Sequence, residues 1–359
     1  MHDRFFSDLT VVELAGVLAG PAAGMFFAEL GARVVKVENK RQGGDVTRKW
    51  KLPLEDPADP ASAYYHSVNW HKEVMFVDLT DVAERSDVEK LIGTADILLV
   101  NFKAGDAVKF GLESHHLRQR YPSLIIGEIT GFEDSGRVAF DAILQAETGF
   151  MSMNGEQDGI PLKMPVALID VLAAHQLKEG LLIALQQRMK TGCGAVVRAS
   201  LYRAAIASLM NQAAIYLNEG SVPQRMGSLH PAIAPYGEVF ICADGRQLLL
   251  AVGTDDQFRR LCRVLNLNEA ADEYDYSTNP LRVKNRKRLH DLLAERFLEK
   301  PAAEWLASLH ALNIPAGSVN DLSAVFEDPA AASMVLEQRE PDGRWSRRAA
   351  TIAFEINPK

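Results

Sequence analysis

Residues 10–38 read TVVELAGVLAGPAAGMFFAELGARVVKVE. Thr10 to Leu14 is a short β-branched run, and Gly16, Gly20 and Pro21 mark a turn after it. Ala22 to Leu30 carries Ala, Met, Phe and Leu through a helical stretch. Gly31 stands where a glycine commonly closes a helix. Arg33 to Glu38 is a second strand. Strand, helix and strand in this compass make a βαβ unit, which implies a parallel sheet.

The pattern recurs outward from this unit. Val74 to Leu79 predicts a strand, and a helix begins over Asp87 to Ile92. Asp96 to Val100 is a continuous apolar strand of the kind buried on both faces. A helix ends over Leu117 to Tyr121, and Leu124 to Thr130 is another strand. The fold class is therefore α/β: an open, Rossmann-like parallel sheet of six strands or near it, with ligands outside the carboxyl ends of the strands.

Leu172, Leu177, Leu181, Leu182 and Leu185 place one long helix over about 171–189. Thr191 to Gly194 is a turn, Ala195 to Leu201 a strand, and a mostly apolar helix follows to Leu217. Asn218 to Pro235 reads as a linker. Phe240 to Val252 predicts a hairpin around Asp244-Gly245, and helices occupy about 255–266, 286–299 and 302–312. The expected domains are a large α/β domain of 1–200 closed by 325–359, a helix and linker over 201–224, and a small α/β domain over 225–324.

The 359 residues are 47% hydrophobic and 24% charged, as in ordinary globular proteins. Forty-seven acids against 39 bases give a net charge of -8, which argues against a nucleic-acid partner. Cys193, Cys242 and Cys262 form no CxxC pair and no disulfide framework, and read as reduced thiols of a cytoplasmic protein. No signal peptide is visible at the start, and no apolar run is long enough for a membrane span.

Several local features carry chemistry or mimic it. Gly16 to Pro21 invites a dinucleotide reading, with Glu38 in the place of a ribose-binding acid. The spacing is not GxGxxG, however, and Pro21 lacks an amide for a pyrophosphate, so a tight packing turn is favoured. Asp170 follows the apolar run Met164 to Ile169 and opens the long helix. It reads locally as an N-cap or as a catalytic carboxylate. A helix N-terminus would keep it ionised. His175 reads as a core or interface histidine, and His115-His116 as a solvated helix start. The remaining histidines lack metal-ligand spacing, so no metal is expected. The basic run Arg282 to Arg288 reads as a solvated helix face.

Taken together, these segments resemble the family III CoA-transferases, which include formyl-CoA and carnitine CoA-transferases. The resemblance rests on Leu14 to Pro21 with Glu29 to Glu38, Gly44-Asp45-Val-Thr-Arg48, and Asn69-Trp-His-Lys72 with Val77-Asp78-Leu79. It continues through Ala95 to Phe102 with Gly111-Leu112, Ala139-Phe-Asp141 with Gln145 and Gly149, and Asp170 with Gly180 and Thr191 to Gly194. Further on, Arg225 to His230, Ala234 to Tyr236, Ile314 to Val319 and Glu327 to Pro329 follow in the family's order.

What the resemblance implies is transfer of coenzyme A from an acyl-CoA to a carboxylic acid. The Asp170 carboxylate would pass through an aspartyl–acyl anhydride and an aspartyl-CoA thioester. Amides near the helix start and around Gly227 would stabilise the oxyanions. Glu38, Asn39, Lys40, Lys72, Asn101, Phe102 and Lys109 would line the CoA site. Leu18, Phe140 and Gly227 would line the acyl pocket, and the first two make it less polar than in some relatives, which argues against oxalate- or formate-like substrates. No permanent cofactor is implied, the CoA thioester being substrate. An interlocked homodimer is. The alternatives are an α-methylacyl-CoA racemase, which needs a proton-accepting side chain where Phe140 stands, and a non-catalytic acyl-CoA binder.

Overall fold

The computed structural model describes residues 5–133 and 136–356. Residues 1–4, 134–135 and 357–359, all within the expected large domain, lie outside the described residues. Six strands, β1 (Thr10–Leu14), β2 (Arg33–Asn39), β3 (Glu73–Val77), β4 (Ile97–Val100), β5 (Ile125–Thr130) and β6 (Val196–Ser200), form one sheet in the order β3-β2-β1-β4-β5-β6. Every pairing in it is parallel, with Val12 beside both Val35 and Leu98. The winding direction reverses between β1 and β4, the position where open α/β sheets leave a crevice.

Side chains alternate between the two faces of the sheet. Val11, Val34, Ile97, Leu99 and Ile125 enter one core, and Val12, Val37, Leu98, Val100 and Ile126 enter the other. Burial on both faces accounts for the unbroken apolar run of β4. The first core is completed by helices α1 (Ala19–Glu29) and α3 (Leu168–Thr191), through Phe26, Phe27, Ala173, Leu177 and Leu181, and by the shorter α2 (Asp141–Glu147) through Leu144. Truncating a buried leucine such as Leu177 to alanine costs about 2–5 kcal/mol at sites of this kind. Helix α1 lies so close to β1 that a Cβ on Gly24 would fall 1.9 Å from Glu13 Oε2, so only glycine fits there.

Two compact units divide the chain. One comprises the described residues of Met1–Met151, Lys163–Val222 and Ser333–Lys359, and the other comprises Ser152–Leu162 and Pro223–Ala332. The second unit holds an antiparallel sheet of β7 (Tyr236–Ile241), β8 (Gln247–Ala251) and β9 (Ala316–Ser318). Helices pack on it around Phe240, Phe258, Leu293, Phe297 and Trp305. The first unit also keeps a hairpin, β10 (Val335–Arg339) and β11 (Trp345–Ala349). After that hairpin, Ile352 enters the first core and its N–H donates to Glu29. Among the described residues no helix is long and apolar enough to cross a membrane.

Three local expectations are corrected. The apolar helix expected to reach Leu217 is two helices, Leu201–Ala207 and Met210–Glu219, because Met210 adopts φ +40°. His175 is exposed on the single chain, which removes the core half of the core-or-interface reading. The basic run is not a solvated face. Arg282 is 1% exposed, and its guanidinium donates to Ala234 O, Tyr276 O and the Asp255 carboxylate. Arg286 donates to His230 O and Ile233 O. Both side chains tie the segment before β7 to the helices, a use of charge that spacing along one helix does not reveal.

Candidate active site

Loops from the carboxyl ends of β1 to β4 enclose a cavity of about 660 Å³. Gly16 and Val17 come from the loop after β1, and Glu38, Asn39, Arg41, Gln42, Gly44 and Asp45 from the end of β2 and the turn after it. Asp78 to Thr80 follow β3, and Asn101 to Lys103 with Lys109 follow β4. Phe140, just before α2, also lines it. The cavity therefore sits at the winding reversal of the sheet. Of the residues singled out from sequence, Glu38, Asn39, Asn101, Phe102, Lys109 and Phe140 line it together, and Lys40, Lys72, Leu18 and Asp170 stand off its lining.

The charged members divide by what already occupies them. Lys72, expected at the CoA phosphates, has its ammonium engaged within the protein. It is buried, and its ammonium lies 2.8 Å from Glu13 Oε2, 2.8 Å from Pro21 O and 3.2 Å from Asn69 Oδ1. Burial lowers its pKa to about 8 against the pull of Glu13. Lys40 is turned outward onto Glu84 at 2.6 Å. The Glu38 carboxylate accepts from Arg48 Nε (2.6 Å) and Nη2 (2.9 Å), the Tyr65 hydroxyl (2.6 Å) and the Asp45 N–H (2.9 Å). Burial pushes its pKa up, but these donors hold it below the usual carboxylate range. With four donors on two oxygens, it has no acceptor left for a ribose. Gly44 makes this approach possible, since a Cβ there would lie 2.4 Å from Glu38 Oε2 and its φ is +101°.

Asn101 also acts within the protein. Its Oδ1 accepts the Gly16 N–H at 3.0 Å and its Nδ2 donates to Gly16 O at 2.8 Å. Lys109 lines the cavity without an ion-pair partner among the described residues, its ammonium 5.2 Å from the Phe110 ring centre. Lys103 and Arg41, not singled out from sequence, add two further cations to the lining, Arg41 lying 3.5 Å from the Asp78 carboxylate and donating to the Thr80 hydroxyl at 3.2 Å. Gly227 lies in the second unit, and its N–H donates to Gly155 O at 2.9 Å, so that amide is already spent.

Asp170 is the third residue of α3. It does not cap the helix, whose cap position is Ala167. The first turn is held instead by Asp141, whose Oδ1 accepts the Ile169 N–H at 2.7 Å while its Oδ2 accepts from Gln145 Nε2 at 2.7 Å. The expectation that the helix start keeps Asp170 ionised is reversed. Burial first, and then the charge of Asp141, raise its pKa from 3.8 to about 7. Only 8% of the residue is exposed, and desolvation outweighs a partial helix charge. Tyr64 completes the cluster. Burial and the charges of Asp170, Asp141 and Asp45 push its hydroxyl up to about 12. Nothing in its local sequence marked it. Among the described residues, no group of three or more His, Cys, Asp or Glu is placed to hold a metal ion.

Comparison with known proteins is decisive here: the sequence profile of CoA-transferase family III matches residues 6–358. The chain belongs to that family. The transferase is 39% identical over 330 residues to the succinate–glutarate CoA-transferase of Agrobacterium fabrum, spanning 90% of this chain and 82% of that one. It is 34% identical over 337 residues to the mouse succinyl-CoA:glutarate CoA-transferase, over 92% and 76% of the two chains. The crystal structure of a CAIB/BAIF family protein from Brucella suis superposes with a TM-score of 0.85 at 36% identity, covering 96% of the transferase and 91% of that chain. The transferase is thus an enzyme of the family III type, and its open parallel sheet is the fold of its structural neighbours.

Proposed function

We propose that the transferase moves CoA between short dicarboxylic acids, a succinyl-type donor and a glutarate-type acceptor, through covalent intermediates on Asp170. The substrate class follows the names of the relatives just described. The observation that carries the mechanism is the buried Asp170 carboxyl beside Asp141, with its pKa near 7. Burial and a like charge both disfavour its anion. Attack on a thioester discharges that anion into a neutral anhydride, so the surroundings that raise the pKa favour the covalent state.

In this reading an Asp170 oxygen bonds to the acyl carbon and the C–S bond breaks, releasing CoA thiolate. The thiolate then attacks the Asp170 carbonyl carbon, expelling the donor carboxylate and leaving an aspartyl-CoA thioester. The acceptor carboxylate attacks that thioester, and the returning thiolate takes the acceptor's acyl group and frees Asp170. Lys109, Lys103 and Arg41 supply positive charge for the phosphates of CoA in the cavity.

Helix Met210–Glu219 exposes Met210, Tyr216 and Leu217, and we assign that apolar face to a second copy of the chain. Sedimentation at two concentrations tests this: a monomer at both removes the homodimer. The mechanism is tested with Asp170→Asn and with hydroxylamine. The variant is expected to bind CoA and lose roughly a thousandfold or more of transfer, and wild type mixed with succinyl-CoA should yield a hydroxamate on Asp170 by mass spectrometry. Full activity in the variant would overturn the reading.

A further inference from the structure

The turn between β1 and α1 holds a valine in a conformation that valine avoids. Val17 has φ +69°, a left-handed region costly for a β-branched residue. Its N–H donates to Asp45, 3.1 Å from Oδ2 and 3.4 Å from Oδ1. The residue before it, Gly16, is held at both its N–H and its C=O by Asn101.

Asp45 is itself fixed from outside the turn. Its Oδ1 accepts the Thr47 N–H at 3.0 Å and the Thr47 hydroxyl at 2.8 Å. Lys36 Nζ stands 3.2 Å from its Oδ2, 2.9 Å from Glu13 Oε1 and 2.8 Å from Ala15 O. The Lys36 and Asp45 side chains are 1% and 2% exposed. Gly16, Val17 and Asp45 all line the cavity at the winding reversal. The strained residue, its clamp and the cavity wall are therefore one structure, and strain persists only where the surroundings over-determine it.

We propose that Asp45 is a positioning residue: its buried carboxylate, anchored by Lys36 and Thr47, holds Val17 in the left-handed conformation and so sets the wall against which acyl-CoA is seated. The inference rests on reading this cavity as the acyl-CoA site. It makes Asp45 act through Val17, so its loss is repaired by a residue that adopts positive φ without cost. Glycine is that residue.

The test is steady-state transfer from succinyl-CoA to glutarate by wild type, Asp45→Asn, Val17→Gly and the double variant, with circular dichroism on each. Asparagine offers one acceptor oxygen where Val17 and Thr47 use two. Asp45→Asn is expected to lower kcat/KM for succinyl-CoA by about 10–100-fold, and adding Val17→Gly to recover roughly tenfold. Asp45→Glu, which keeps the charge and displaces it, should show the same rescue and serves if Asp45→Asn does not fold. A double variant no better than the Asp45 variant alone would reduce Asp45 to a counter-ion for Lys36 and overturn the inference. Wild type inert toward every acyl-CoA would remove the reading of the cavity and this inference together, whereas active wild type without glycine rescue removes this inference alone.

Discussion

Asp141 accepts the backbone N–H of Ile169 at 2.7 Å and sets its charge against the neighbouring Asp170. One carboxylate thus builds the first turn of α3 and adds its charge to the burial that makes the next residue's carboxylate costly to ionise. The pairing joins Phe140, on the cavity wall, to the start of the long helix through adjacent residues of the chain.

The pH dependence of transfer follows from this pair. Under the proposed mechanism Asp170 reacts as its anion, so kcat/KM should rise with pH through a midpoint near 7. Asp141→Asn keeps an acceptor for Ile169 and removes the like charge, so the midpoint should move to lower pH. Profiles of kcat/KM for wild type and variant measure this, and an unmoved midpoint would dissociate the two residues.

Stability should respond in the opposite sense. Asp170 keeps its proton in the folded chain up to about pH 7, whereas the unfolded chain releases it near 3.8. The folded state binds more protons across that window, so this group lowers stability as pH rises through it. Asp170→Asn removes the penalty. The variant should be more stable than wild type near pH 8, by on the order of 2 kcal/mol, and no more stable near pH 4. Urea unfolding at both pH values decides it.

Two lysines should separate cleanly. Lys72→Met strips a buried partner from Glu13, Pro21 O and Asn69. It is expected to cost roughly 3 kcal/mol of stability while the folded enzyme's KM for acyl-CoA stays within about twofold. Lys109→Ala should leave stability within about 0.5 kcal/mol and raise that KM roughly tenfold. Equal effects of the two on KM would return Lys72 to the CoA site.

Arg282→Met should destabilise the second unit. Three acceptors, two of them backbone carbonyls, depend on that guanidinium, and the loss is expected to reach about 3–5 kcal/mol. Hydrogen exchange of β7 and the helix Asn279–Lys284 should accelerate ahead of β1 to β6. Uniform exchange across both units would refute it.

The sheet was legible because its signals are local: β-branched runs, a closing glycine and unbroken apolar strands. The roles of charged side chains were not, because their partners lie far along the chain. Lys36 sits inside RVVKVE and Glu13 inside TVVEL, and the two residues stand opposite in the β1–β2 register. Opposite charges at matching places in successive strands were a usable signal for that buried pair. Lys72 had none, since Glu13 lies 59 residues away. The start of α3 escaped for the same reason. Its first turn is completed by Asp141, 28 residues earlier, which freed Asp170 from capping. The motif order placed Asp170 correctly on the long helix, while its proton affinity depends on burial that no short window contains.

The return of the chain to its first unit at Ser333 has a consequence for biosynthesis. On a ribosome, β1 to β6 leave the exit tunnel long before Ile352, yet Ile352 belongs to their core and its amide closes on Glu29. The nascent first unit must wait, its apolar edge open, while Pro223–Ala332 is translated. A stalled or prematurely terminated chain would therefore expose that edge to chaperones and proteases even though every strand of the sheet had been made.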